Sequence, residues 1–212
     1  RPVKPATNWQ AVAAGADGVA AAEAIAASVS SVETYLEAID AFDVHPLKRT
    51  ATQAAAFSGS IQPKILVLCD RPRNEEDRTG DVLAGNNLVL AERMLVAIGL
   101  SLSDQQLPLA LANFIPWRPP GNRAVTEQEG LMLVPLANKL IELLQPKILL
   151  CFGPLAGQYL GGAEEAIMKQ RGKWMDIADL PALATFHPET LLKSPASKRL
   201  AWHDLQAFRQ KL

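Results

Sequence analysis

The chain has 212 residues, with 21 Lys and Arg, 22 Asp and Glu, and a formal net charge of -1. Apolar residues make up 49% and charged residues 20%, enough for a real core, so a globally disordered chain is excluded. The balanced charge also excludes a wholesale basic protein, so any nucleic-acid binding must come from a local patch.

The N-terminus opens Arg1-Pro2-Val3-Lys4-Pro5, with no apolar stretch of the signal-peptide kind behind it. Residues 1–31 are Ala-rich with few bulky side chains. Ala favours helix, but Ala13-Ala14-Gly15-Ala16-Asp17-Gly18 interrupts it. This stretch is expected to be a linker or a loosely docked arm, with Trp9 its only sizeable anchor. The domain proper is expected over residues 32–212. A helix opens near Ser30 or Ser31, with Val32, Leu36 and Ile39 at helical spacing. Its other face, Glu33, Glu37 and Asp40, is acidic and should turn away from any phosphate-binding surface.

Lys64 to Cys69 is a continuous apolar run and reads as a buried strand, followed by a polar loop at 70–84. Residues 86–98 form an amphipathic helix that stops at Gly99. Leu107 to Ile115 is a second strand, with Pro108 marking its start, and the loop Pro116–Arg123 follows. Thr126 with Glu129 forms a capping box that opens a helix to about Leu144. Lys147 to Phe152 is a third strand, Pro154 to Leu160 a short helix, Leu183 to Phe186 a fourth strand, and Pro195 to Leu212 a last helix.

This alternation predicts a three-layer αβα sandwich with a central, mostly parallel four-stranded sheet. Ligands of such sheets sit at the C-terminal strand ends. The loops at 70–84, 113–123, 153–155 and 187–195 should therefore converge on one crevice. Arg71, Arg73, Arg78, Arg118, Arg123, Lys193, Lys198 and Arg199 lie in or beside those loops, and Arg171 and Lys173 lie in a further one. A neutral protein with a basic crevice suits a phosphate backbone.

The two cysteines, Cys69 and Cys151, sit inside apolar runs and read as small buried hydrophobes rather than a disulfide framework. No apolar run approaches the roughly 18 residues of a membrane span, and a cytoplasmic location is the expectation. No P-loop or G-x-G-x-x-G pattern is present, and His45, His187 and His203 lack metal-ligand spacing. A nucleotide-binding α/β protein of another kind would need such a phosphate loop.

Four segments together resemble the uracil-DNA glycosylase superfamily, in particular its family 4 and the related alphaproteobacterial branch. Residues 66–80, containing Cys69-Asp70-Arg71-Pro72-Arg73-Asn74-Glu75-Glu76-Asp77-Arg78, are similar to G-E-A-P-G-x-x-E-D-R. Asn113-Phe114-Ile115-Pro116-Trp117-Arg118-Pro119-Pro120-Gly121-Asn122-Arg123 is similar to N-x-x-x-W-R-P-P-G-N-R. Pro146 to Gly153 is the third segment, and His187-Pro188-Glu189-Thr190-Leu191-Leu192-Lys193 is similar to H-P-x-x-L-L-R.

The resemblance implies a DNA N-glycosylase of base-excision repair, which extrudes uracil or a related deaminated base and hydrolyses its N-glycosidic bond. By motif position, Asn113 would read the base edge and His187 would donate to the base carbonyl as charge builds there. Asp70 stands at the carboxylate position and would orient water or favour the sugar cation. Leu83 stands where the family has a base-stacking Phe, and Arg73 where it has a Gly, so both border the base. Leu191 or Leu192 would wedge into the stack, and Lys193 and Ser194, with Arg118, Arg123 and Lys198, would meet the DNA backbone. The partner implied is DNA, single-stranded or flipped out, met by a monomer away from membranes.

The resemblance also implies what differs here. The cluster cysteines of family 4 fall near Phe42 and at His45, Trp117 and Leu133, none a thiolate, so no iron–sulfur cluster, metal or other cofactor is expected. The altered first motif leaves a second reading open, a catalytically silent glycosylase-fold module that binds nucleic acid or a protein.

Overall fold

Four apolar runs pair side by side because continuous apolar strands need cover on both faces. In the computed structural model, which describes residues 9–163 and 166–212, these are β2 (Ile65–Cys69), β3 (Leu109–Asn113), β4 (Ile148–Phe152) and β6 (Leu180–Thr185), all parallel. Two antiparallel edge strands, β1 (Phe57–Gly59) and β5 (Trp174–Ile177), complete a six-stranded sheet of order β1-β3-β2-β4-β6-β5. The four-stranded parallel core is the one expected, and the edges are additions to it. Asn113, Cys69, Phe152 and Thr185 lie in one hydrogen-bonded row at its C-terminal end.

Successive strand residues face opposite layers. Leu66, Leu68, Ala110, Ala112, Leu149 and Cys151 face the layer of α1 (Trp9–Ser28), α2 (Val32–Ala41) and α6 (Val134–Leu144). Ile65, Val67, Leu109, Leu111, Ile148 and Leu150 face α4 (Gly85–Val96), α9 (Pro188–Lys193) and α10 (Lys198–Arg209). Short helices α3 (Asn74–Thr79), α5 (Glu127–Leu131), α7 (Leu155–Leu160) and α8 (Ile167–Gln170) fill the connections.

Several local readings are refined. The Ala-rich segment was expected to be a linker or loose arm interrupted at 13–18. It is instead a helix from Trp9 to Ser28, docked on α5 and α6. Small residues allow that close approach: Ala22 is buried, and a Cβ on Gly18 would lie 2.6 Å from the Met132 methyl. Residues 1–8 and the Trp9 side chain lie outside what is described. The helix expected from Thr126 to Leu144 is two, α5 and α6. Thr126 and Glu129 do form the capping box, but Pro135 in the first turn of α6 has no N–H to continue α5. The polar loop 70–84 contains α3, whose first turn is acidic, as the helix dipole favours.

Candidate active site

The four expected loops do converge at the C-terminal strand ends. Asp70 Oδ1 accepts from the Leu155 N–H at 2.8 Å, which ties the loop after β2 to the one after β4. Arg71 Nη2 donates to the Asn122 carbonyl at 3.0 Å, and the Arg73 guanidinium forms an ion pair with Glu189. These join the same loop to those after β3 and β6.

Asp70 follows β2 directly and is 9% exposed. Burial pushes its carboxyl up to about 6, against the opposing Leu155 N–H and the charges of Arg73 and Arg71. Gly153 makes this position available. Its φ is +106°, and a Cβ there would fall 2.0 Å from Asp70 Oδ2.

Asn113 ends β3 and is buried. Its Nδ2 donates to the carbonyls of Ala55 at 2.8 Å and Val82 at 3.2 Å. Both amide hydrogens are thereby used, and Oδ1 is buried with no donor among the described residues. Flipping the amide would set Oδ1 against two carbonyls, so the orientation follows from its surroundings.

His187 caps α9, and its Nδ1 accepts the Glu189 N–H at 3.1 Å. Burial first, then the charge of Arg73, lowers its pKa to about 3. The ring is therefore neutral at physiological pH. Because Nδ1 accepts, the proton sits on Nε2, which is buried with no acceptor among the described residues. Asn113 thus holds an orphaned acceptor and His187 an orphaned donor.

The remaining candidates are placed as follows. Leu83 is buried in the core layer shared with α4. Leu191 is buried in the same layer, so it is not free to wedge, whereas Leu192 is 42% exposed. Arg118 pairs with buried Asp77 at 2.9 Å, and Arg123 pairs with buried Glu129 at 2.5 Å. Lys193 pairs with Glu189 at 2.6 Å, while Ser194 and Lys198 are exposed on the same edge. Much of the expected basic crevice is therefore neutralised by carboxylates, some local (Glu189 with Lys193, Glu129 with Arg123) and some from distant segments (Asp77 with Arg118, Glu189 with Arg73).

Sequence reasoning passed over Glu189, which holds both Arg73 and Lys193. Burial would raise its pKa, but the hydrogen bonds and charges of those two residues hold it at about 2. It also passed over Glu76, 1% exposed, which accepts from the N–H groups of Arg73 and Ala84 and from Asn87 Nδ2. That carboxylate sets the loop whose Val82 carbonyl orients Asn113. The signals were present in the motifs, as the Glu after His187-Pro188 and the first acid of Glu76-Asp77-Arg78.

Phe42, His45 and Trp117, three of the positions standing near cluster cysteines, come together in the core. His45 stacks on Trp117 at 4.9 Å, and Phe42 lies 6.3 Å from Trp117. Leu133 is buried in the same layer as Phe42 and Trp117. Cys69 and Cys151 are elsewhere, fully buried in neighbouring strands β2 and β4. Among the described residues no group of His, Cys, Asp and Glu suits a metal ion, and this aromatic set does not fit a thiolate-held cluster.

The family model for the uracil DNA glycosylase superfamily matches residues 57–206. A type-4 uracil-DNA glycosylase of Thermotoga maritima is 26% identical over 165 residues, covering 76% of this chain and 84% of the relative. One from Sulfurisphaera tokodaii is 25% identical over 190 residues, covering 86% and 85%. One from Saccharolobus solfataricus is 28% identical over 168 residues, covering 75% and 76%. The matched span holds every strand and all three groups at the strand ends, so this chain belongs to the uracil DNA glycosylase superfamily.

Proposed function

We propose that the chain is a DNA glycosylase that hydrolyses the N-glycosidic bond of uracil or a related deaminated base. The observation that carries this is the pair of orphaned buried atoms, Asn113 Oδ1 and His187 Nε2–H. Leaving both without partners costs about 1–3 kcal/mol each, which a ligand with one N–H and one carbonyl recovers. A uracil edge offers both.

In the reaction, the bond between base nitrogen and sugar C1′ breaks while a water oxygen bonds to C1′. The sugar passes through a cationic state, and negative charge collects on the base. Neutral His187 donates to the base carbonyl as that charge grows, with no proton lost beforehand. Asp70, ionised above about 6, stabilises the sugar cation, orients the water and takes its proton as the oxygen bonds to C1′, while the base leaves as an anion with the electron pair of the broken bond. Arg73, held by Glu189, borders the base. Leu83 is the apolar boundary in place of a stacking ring. Leu192, Lys193, Ser194 and Lys198 form the exposed edge that meets DNA, while Arg118 and Arg123 shape the loop through their ion pairs. We assign a monomer acting on DNA in the cytoplasm, and no helix of the described residues is long and apolar enough to cross a membrane.

The test is uracil release from a labelled single-stranded oligonucleotide, read by alkaline cleavage of the product. Asn113→Ala and His187→Ala should each slow release by about a hundredfold in protein that still folds, with a lowered melting temperature from the lost carbonyl bonds and helix cap. Arg73 beside the site favours the rival reading of a silent module. Well-folded wild-type protein that releases neither uracil, hypoxanthine nor xanthine would establish that rival.

A further inference from the structure

A cavity of about 580 Å³ opens beside Asp70, between the loop after β2 and the helices α5 and α7. Neither Asn113 nor His187 lines it, so it is distinct from the base-reading pair although Asp70 borders both. Its lining has two characters. Arg71 and Arg73, with the carboxylates of Asp70 and Glu127, form a charged side, while Leu131, Leu155 and Tyr159 form an apolar wall. The Tyr159 ring is backed by Phe114, stacked at 5.3 Å.

The arginines around this cavity are not equivalent. Arg73 is bonded to Glu189, Arg123 to Glu129 and Arg118 to Asp77. Arg71 donates only to the Asn122 carbonyl, and its buried Nη1 has no acceptor among the described residues. Burial, and then the neighbouring charge of Arg73, lowers its pKa to about 10. Asp70 and Glu189 act on the Arg71 guanidinium through space but do not bond it, so its orphaned Nη1 is left for an anion, and its planar fork suits the oxygens of a phosphate.

We propose that this cavity is a subsite for the nucleotide adjacent to the reacting one in a single DNA strand. Arg71 takes the phosphodiester, and the wall of Leu131, Leu155 and Tyr159 takes the base. The volume lies within the roughly 300–1,000 Å³ of small-ligand sites, enough for one nucleotide. The assignment rests on the glycosylase reading, because that reading places a DNA strand across Asp70.

The experiment is anisotropy titration of a labelled short oligothymidylate, free of uracil, over a series of salt concentrations. Arg71→Ala should weaken binding about tenfold and reduce the salt slope by about one phosphate contact. Gln158→Glu adds a negative charge to the cavity lining without touching Arg71 and should also weaken binding. Its effect should shrink in the Arg71→Ala background, which a loss of folding would not reproduce. Unchanged affinity and slope in both single variants would overturn the proposal. Competition by inorganic phosphate as effective as that by thymidine 5′-monophosphate, at equal ionic strength, would reduce the cavity to a bare anion site and overturn the nucleotide assignment. The two readings fail separately. If wild type releases no uracil but Arg71→Ala loses affinity, the glycosylase reading fails and the subsite stands. If release depends on Asn113 and His187 while Arg71→Ala binds normally, only the subsite fails.

Discussion

Asn113 shows how backbone groups decide what a side chain can offer. Two carbonyls consume its amide hydrogens and leave a single acceptor. Asn113→Asp would set a carboxylate against those carbonyls. It should lose about 2–4 kcal/mol of stability along with activity, which chemical denaturation and release assays would measure together. Asp70 and His187 pull the pH dependence of stability in opposite directions. Between 3.8 and about 6, folded Asp70 holds a proton that the unfolded chain has released, so its contribution falls as pH rises through that window. Between about 3 and 6.5 the unfolded chain protonates His187 and the folded chain does not, so its contribution grows with pH. Asp70→Asn should therefore stabilise the fold at neutral pH by about 1–3 kcal/mol, with the gap closing towards pH 4. Denaturation midpoints at both pH values would show it. The same variant should abolish a rise in uracil release that wild type shows as pH climbs through about 6.

At the scale of elements, buried carboxylates hold the site loops together. Glu129 caps α5 through the Thr126 N–H at 2.8 Å and also pairs with Arg123. Glu129→Ala should cost about 2–4 kcal/mol, since it removes a cap and leaves Arg123 without its carboxylate. Glu129→Gln keeps an acceptor for the cap and should cost about half as much, a difference that thermal melts resolve. Glu76 does the equivalent for α3 and the loop before α4. Gly153 works by absence: Gly153→Ala would both strain a positive φ and displace Asp70, so stability and release should fall together.

Across the whole molecule, charge is balanced within the fold rather than gathered on one face. Of the ten basic residues the sequence places around the crevice, Arg73, Arg118, Arg123, Arg171 and Lys193 are in ion pairs. Affinity for a single strand should fall with salt at a shallow slope of about -2 to -3, from three or four phosphate contacts. A slope near -7 would mean that the paired arginines are released on binding. The N-terminal helix is part of the same whole. Truncation through Ser28 uncovers Met132 and the flank of α6 and should lower stability by about 2–4 kcal/mol, read as a lower melting temperature.

The parallel core was legible in the sequence because burial on both faces writes a continuous apolar run, as in Ile65–Cys69 and Ile148–Phe152. Helix caps at Ser31 and Thr126 were legible because their partners lie three residues away. From those local patterns followed the convergence of the loops, and from the motifs the proposal of Asp70, Asn113 and His187. The edge strands were not legible: β5 buries only Ile177 of its four residues and carries no apolar run. The docking of α1 depends on small residues meeting Met132, more than a hundred positions away. Pairing of the basic residues and the burial of Leu191 beside exposed Leu192 were likewise decided in three dimensions. So was the amide of Asn113, whose partners lie 58 and 31 residues away. Periodicity and capping are short-range properties of a chain, whereas the partner of a buried charge or amide is whatever the fold brings beside it.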